Sequence, residues 1–298
     1  MDYSVIGKKI KELRNVVGLT QGDLAEGICT QALISRIEKG DIYPSATALY
    51  QIAMKLGVDV NYFFEIGTTP RMDYVREVER QLKTLRLKRK YTEMIEIVKT
   101  EEKNPFFNKD NERLQLLYWH KAIYLFEVEE DHTSAFAVLQ EAYDLTARQK
   151  KAPTEKELEI LMTFGTWEKL LQNNEKALYY YRKVEDIIRQ MEHLHDQSIN
   201  TRLLYNIARV LTQTGNYEQS IAYCHKAINW CVEEEHLWGL GELHYHIGYN
   251  YERIGDDENA LSFVDKAIQL FVLRNDDTHL AFLEKRKQEI MGKVQHGD

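Results

Sequence analysis

Two groups of polar side chains have the types and spacings for recognition chemistry. In the first, Gln31, Ala32, Ser35, Arg36 and Lys39 recur at helical intervals after Thr30, on the side of a helix away from Ile34 and Ile37. A glutamine amide matches the edge of adenine and a guanidinium that of guanine, so this face could read bases in a DNA groove. Gln31 is the better candidate for a base edge. Arg36 has a second role open to it, an ion pair with Glu38 or a neighbouring helix. In the second group, Arg202, Tyr205, Asn206 and Arg209 fall close together, and Tyr245, His246, Tyr249 and Arg253 do so further on. The Asn206 amide can donate to and accept from a peptide backbone without dictating its sequence. The aromatics beside it offer apolar pockets, and the cations could take a carboxylate.

Enzyme chemistry is not expected. The chain has no Gly-rich phosphate loop, nucleophile elbow or HExxH helix. His193-x-His195 and His244-x-His246 are spaced i and i+2, which on a helix does not give one shared face for a metal. Cys29, Cys224 and Cys231 are an odd set without CxxC spacing, which speaks for buried structural thiols in a reducing compartment. No catalytic residue, metal or cofactor is therefore expected.

The elements that must position these side chains are helices. Only four prolines interrupt 298 residues, and glycine is sparse, so an all-α protein is expected. Val5, Ile6, Ile10, Leu13, Val16 and Val17 predict an amphipathic helix over 4–17, stopped by Gly18. Thr20 is placed to cap a second helix running from Gln21 to about Gly27. A third runs from near Thr30 to Lys39 with Gly40 as its stop, and Pro44-Ser45 opens a fourth. The stretch Val60–Phe64 closes a five-helix bundle over residues 1–66. That segment holds seven Lys/Arg against eight Asp/Glu in a chain of net charge −8, so DNA binding must rest on geometry rather than bulk charge.

Leu19-Thr20-Gln21, Leu24-Ala25, Ile34-Ser35-Arg36-Ile37-Glu38, Gly40, Pro44-Ser45 and Leu56-Gly57 resemble, in register, the helix-turn-helix domain of phage repressors and many bacterial regulators. The resemblance implies that the helix from Thr30 enters the major groove while the one before it crosses the backbone. It places Gln21 where a phosphate is anchored, with Lys39 and Tyr43 as further phosphate contacts. At the turn, Ile28 replaces the usual glycine and Gly27 stands one place earlier; a branched residue is unfavourable in the left-handed conformation.

After Thr68-Thr69-Pro70 a long helix is predicted from about Met72, with 67–75 as linker and 76–298 as a repeat domain. Met94, Ala135, Ala177, Ser220 and Ala260 open the second helix of successive pairs, at steps of 41, 42, 43 and 40 residues. The frame is clearest from Asn206 to Ala227 and from His246 to Ala267. It resembles tetratricopeptide repeats stretched beyond their usual ~34 residues. The expected architecture is a right-handed superhelix of about five helix pairs with a capping helix near Asp276–Val294. The first helix of each pair should line its concave face. Arg76, Arg80, Lys83 and Arg86, then Trp119 and His120, then Thr163 and Thr166 join the residues named above on that face.

Together the two halves resemble the peptide-sensing quorum regulators of Gram-positive bacteria, the RNPP family, most closely its PlcR type. Membership implies a cytoplasmic transcription regulator that binds a palindromic operator in double-stranded DNA as a homodimer. It also implies a short signalling peptide as ligand and no membrane partner. Asn206 matches the family's backbone-gripping asparagine, and Lys88, Arg89 and Lys90 lie where a basic cluster of the first repeat is expected. Two alternatives stay open for the arm: docking a protein partner, or oligomerisation alone.

Overall fold

Caps set the N-terminal bundle. The computed structural model describes residues 3–68, 72–147 and 153–296, and among these it has seventeen helices and no strand. Helix α1 (Tyr3–Val17) precedes α2 (Gln21–Ala25), whose start is a reciprocal capping box between Thr20 and Asp23. Thr30 caps α3 (Gln31–Lys39) by accepting from the Leu33 N–H, and Ser45 caps α4 (Ala46–Leu56) in the same way from Ala48. Helix α5 (Val60–Thr68) completes the bundle. Ile6, Ile10, Leu24, Ile34, Ile37, Leu49, Ile52 and Phe63 form its solvent-free core.

Two details differ from the sequence reading. The turn between α2 and α3 takes its left-handed residue at Gly27, with φ +76°, so Ile28 is spared that conformation and packs against the core instead. Val16 and Val17 are exposed, because Arg14 makes the inward contact of the last turn of α1. Helices α1 and α3 cross closely at Gly7, where a Cβ would stand 2.0 Å from the Ile37 carbonyl oxygen. Gly7→Ala is thus expected to cost about 2 kcal/mol, overpacking outweighing the ~1 kcal/mol gain in helix propensity. A thermal melt of the full chain that is unchanged or raised would refute this.

The remaining helices alternate as the repeat frame requires. Helix α6 (Met72–Leu87) pairs with α7 (Tyr91–Glu101), which is joined to α9 (Asn111–Glu127) through α8 (Pro105–Asn108), a single turn that the repeat frame did not foresee. Then follow α10 (His132–Ala147), α11 (Glu155–Leu170), α12 (Asn174–Gln190), α13 (Ser198–Gln213), α14 (Tyr217–Glu233), α15 (Leu240–Ile254) and α16 (Asp257–Leu273). The terminal α17 (Asp277–His296) packs on α16 where a capping helix was expected. Met94, Ala135, Ala177, Ser220 and Ala260 are all fully buried, as small or flexible residues at close helix crossings should be. By contact the chain forms two units, Met1–Asp131 and His132–Asp298. The expected break at Thr68-Thr69-Pro70 lies partly outside the described residues. No helix among the described residues is long and apolar enough to cross a membrane.

Candidate DNA interface and ligand groove

The outer face of α3 carries Gln31, Ala32, Arg36 and Lys39 exposed and Ser35 half-buried. Arg36 does not pair with Glu38. That carboxylate is buried and belongs to Arg14, whose Nε lies 2.6 Å from Oε1 and whose second nitrogen lies 3.1 Å from Oε2. No described residue pairs with Arg36 or Lys39, so both cations are left to an outside partner. Burial pushes the Glu38 carboxyl up, but hydrogen bonds from Arg14 and Gln21 outweigh it and hold it below the usual carboxylate range. Gln21 donates to Glu38 at 2.8 Å, which fixes its amide at the start of α2 and leaves its second N–H for a phosphate. Thr30 spends its hydroxyl oxygen on the cap of α3. Tyr43 packs on the bundle core with its phenolic oxygen buried, a position suited to packing rather than to phosphate contact.

In the second unit, α11, α13 and α15 line one groove of about 330 Å³, bounded by Lys169, Arg209, Thr212, Gln213, Tyr217, His246, Tyr249 and Arg253. These are first helices of consecutive pairs, with Tyr217 at the start of α14. Tyr205 meets the His246 ring edge-on at 5.4 Å, and Arg209 lies 5.8 Å from the Tyr205 ring centre. Asn206 stands one turn from Arg209 on the same face of α13, half-buried, and no described residue hydrogen-bonds its amide.

The RNPP family C-terminal domain model matches residues 79–291, and a helix-turn-helix model matches 10–63. The chain belongs to the RNPP family. PlcR of Bacillus thuringiensis, solved in complex with the peptide PapR7 and DNA, shares the fold. Its TM-score is 0.78 at 24% identity, covering 96% of this chain and 99% of that one. ComR from S. thermophilus, in complex with DNA and its signalling peptide ComS, gives 0.62 at 18%, covering 96% and 99%. The SHP pheromone receptor Rgg2(C45S) of Streptococcus dysgalactiae gives 0.65 at 13%, covering 95% and 98%. No curated protein matches the chain by sequence.

In this RNPP chain the structure brings together only part of the set chosen from sequence. Arg209, His246, Tyr249 and Arg253 line the groove. Arg202 is instead spent on Glu159, at 2.7 Å, and Tyr245 packs edge-on against Phe282. Thr163 and Thr166 donate back to the carbonyls of Glu159 and Met162 on their own helix, and Lys169, one turn beyond Thr166, reaches the groove in their place. Lys88 and Lys90 are exposed in the first unit; Lys90 pairs with Glu93. Sequence reasoning missed Asn250, which is fully buried and tied to Thr212, Ser220 and His246 in one hydrogen-bonded cluster. Its signal was present, since a polar Asn sits one turn beyond His246 among apolar positions. Among the described residues no three metal-ligating side chains gather, and the three cysteines are free, with burial pushing Cys224 up to about 12.

Proposed function

We propose that this chain is a transcription regulator that reads double-stranded DNA with α3 and is controlled by a short signalling peptide bound in its repeat arm. It acts in the cytoplasm as a homodimer on a palindromic operator, with residues 1–66 as the DNA head, 67–75 as linker and 76–298 as the sensing and dimerisation arm. The observation that carries this reading is the combination of unspent groups. Gln31, Arg36 and Lys39 face outward on a helix-turn-helix, and Asn206 has an unspent amide beside a cation-lined groove. A ligand that prefers one state of the arm shifts the equilibrium between DNA-competent and incompetent dimers by its differential affinity. PlcR and ComR were each solved with a peptide and DNA together, which supports the same assignment of parts.

Native mass spectra before and after exposure to concentrated culture medium of the host test the proposal. The expected result is an added mass of a few amino acids per subunit, lost in Asn206→Ala. No added mass on a chain that still binds DNA would instead favour a protein-docking or purely oligomerising arm. On the DNA side, Gln31→Ala and Arg36→Ala should each cost about 1–3 kcal/mol of operator affinity. Lys39→Ala should weaken specific and random DNA alike and flatten the salt dependence. Titrations at two salt concentrations separate the two behaviours.

A further inference from the structure

The groove on α11, α13 and α15 holds three cations and no carboxylate. Lys169, Arg209 and Arg253 line it, and none of the other lining residues is acidic. This contrasts with the rest of the arm in a chain of 47 acidic residues against 39 Lys/Arg, where Arg202 is answered by Glu159 and Arg286 by Glu252. No described carboxylate pairs with Lys169, Arg209 or Arg253. Two of them are held in place without being neutralised, Arg253 against the Tyr217 hydroxyl at 3.3 and 3.4 Å and Arg209 over the Tyr205 ring at 5.8 Å. Burial, with help from Arg209, pushes the Lys169 ammonium down to about 8. His246 supplies no counter-charge either, since an imidazole is neutral or cationic.

We infer that this groove receives a carboxylate of the signalling peptide, so that the ligand presents an acidic side chain or a free C-terminus between Arg209, Arg253 and Lys169. The inference rests on the arm being a peptide receptor and adds the chemistry of what it accepts. A carboxylate takes paired N–H donors from a guanidinium, and in a partly buried groove each such bond is stronger than between neutral groups. It would also relieve the mutual repulsion of Lys169 and Arg209. The Gln213 amide, held by Gln172 at 2.5 Å, and the Tyr249 ring supply a polar edge and an apolar wall. Asn206, one turn away, would grip the adjoining backbone.

The test uses the full chain, immobilised and offered a randomised heptapeptide pool in two forms, with free and with amidated C-termini. Retained peptides are identified by mass spectrometry for the wild type, Arg209→Gln and Lys169→Gln. The wild type should enrich carboxylate-bearing peptides about tenfold or more over neutral ones. Enrichment of Asp and Glu that survives amidation identifies a side-chain carboxylate; preferential retention of the free-ended pool over the amidated one, whatever the side chains, identifies the C-terminus. In both variants the enrichment should collapse while neutral peptides are still held. Arg209 is exposed and Lys169→Gln removes an unanswered charge, so both should fold, as circular dichroism would verify. Peptides held with no preference for Asp or Glu and equally well with free and amidated C-termini, or a preference kept by both variants, overturn this inference alone. A wild type that holds no peptide of either pool overturns the receptor reading, and this inference with it.

Discussion

Glu38→Ala should abolish operator binding and cost the DNA head about 3–5 kcal/mol, the largest effect expected of any single substitution in this chain. Arg14 and Glu38 are only 8% and 5% exposed, and their two contacts bridge α1 and α3. Arg14 also donates to the Leu19 carbonyl at 2.7 Å, and Gln21 donates to Glu38, so the same pair ties down the entry to α2. Without the carboxylate, a guanidinium that cannot shed its proton would remain buried on one carbonyl. The pair itself contributes much less than this, because desolvating both charges offsets most of their attraction. The double variant Arg14→Met with Glu38→Leu should therefore melt close to the wild type while each single variant melts far below it. Its DNA affinity should recover only in part, since Gln21 would have lost its acceptor. Single variants that melt within about 1 kcal/mol of wild type would show that the pair is not shielded from solvent in solution.

The contrast between the two halves shows what a sequence makes legible. In the head, caps and stops are local, so Thr20, Thr30, Ser45, Gly40 and Gly57 mark the helix limits that the structure shows. The partner of Glu38 was not local. Arg36 lies two residues away, but i and i+2 on a helix point apart, and the residue that meets Glu38 is 24 positions earlier. In the arm, the repeat frame located Met94, Ala135, Ala177, Ser220 and Ala260, all fully buried, because helix crossings recur with the period. It could not say how each polar side chain is spent. Arg202 and Arg209 share a type, a helix and a face, yet one is neutralised by Glu159 and the other is unanswered, and only the neighbouring helix decides which. Lys169 was overlooked because Thr163 and Thr166 occupied the expected positions. A helical threonine can satisfy its hydroxyl on its own backbone, whereas a lysine one turn further on must reach outward.

Lowering the pH from about 6.5 to about 4 should cost the arm about 3 kcal/mol through His246 alone. Burial pushes this imidazole down to about 4 from its ordinary 6.5, and Arg209 and Lys169 add to the effect while a backbone hydrogen bond to Ala208 opposes it. Because the folded value lies below the unfolded one, the unfolded chain takes up the proton first. Stability is therefore full above about 6.5, falls through the window and levels off near 4. Asn250 donates one N–H to the His246 carbonyl at 2.7 Å and the other to Ser220 at 3.1 Å, and Ser220 donates to the Ala208 carbonyl at 2.8 Å. The single Thr212 hydroxyl lies 2.7 Å from the Asn250 oxygen, 2.8 Å from the Ser220 hydroxyl, 2.9 Å from the His246 Nε2 and 3.1 Å from the Ala208 carbonyl, so it joins all four groups into one buried network. The charged form of His246 would bring a third cation beside Arg209 and Lys169. His246→Gln can keep an N–H toward Thr212 without titrating, so urea midpoints measured from pH 4 to 7 should lose most of their slope in that variant. An undiminished slope would place the acid sensitivity elsewhere. Asn250→Leu tests the same cluster at neutral pH: it strands Thr212, Ser220 and the His246 carbonyl together and should cost about 2–3 kcal/mol, with the groove loosening where Arg209 and His246 meet.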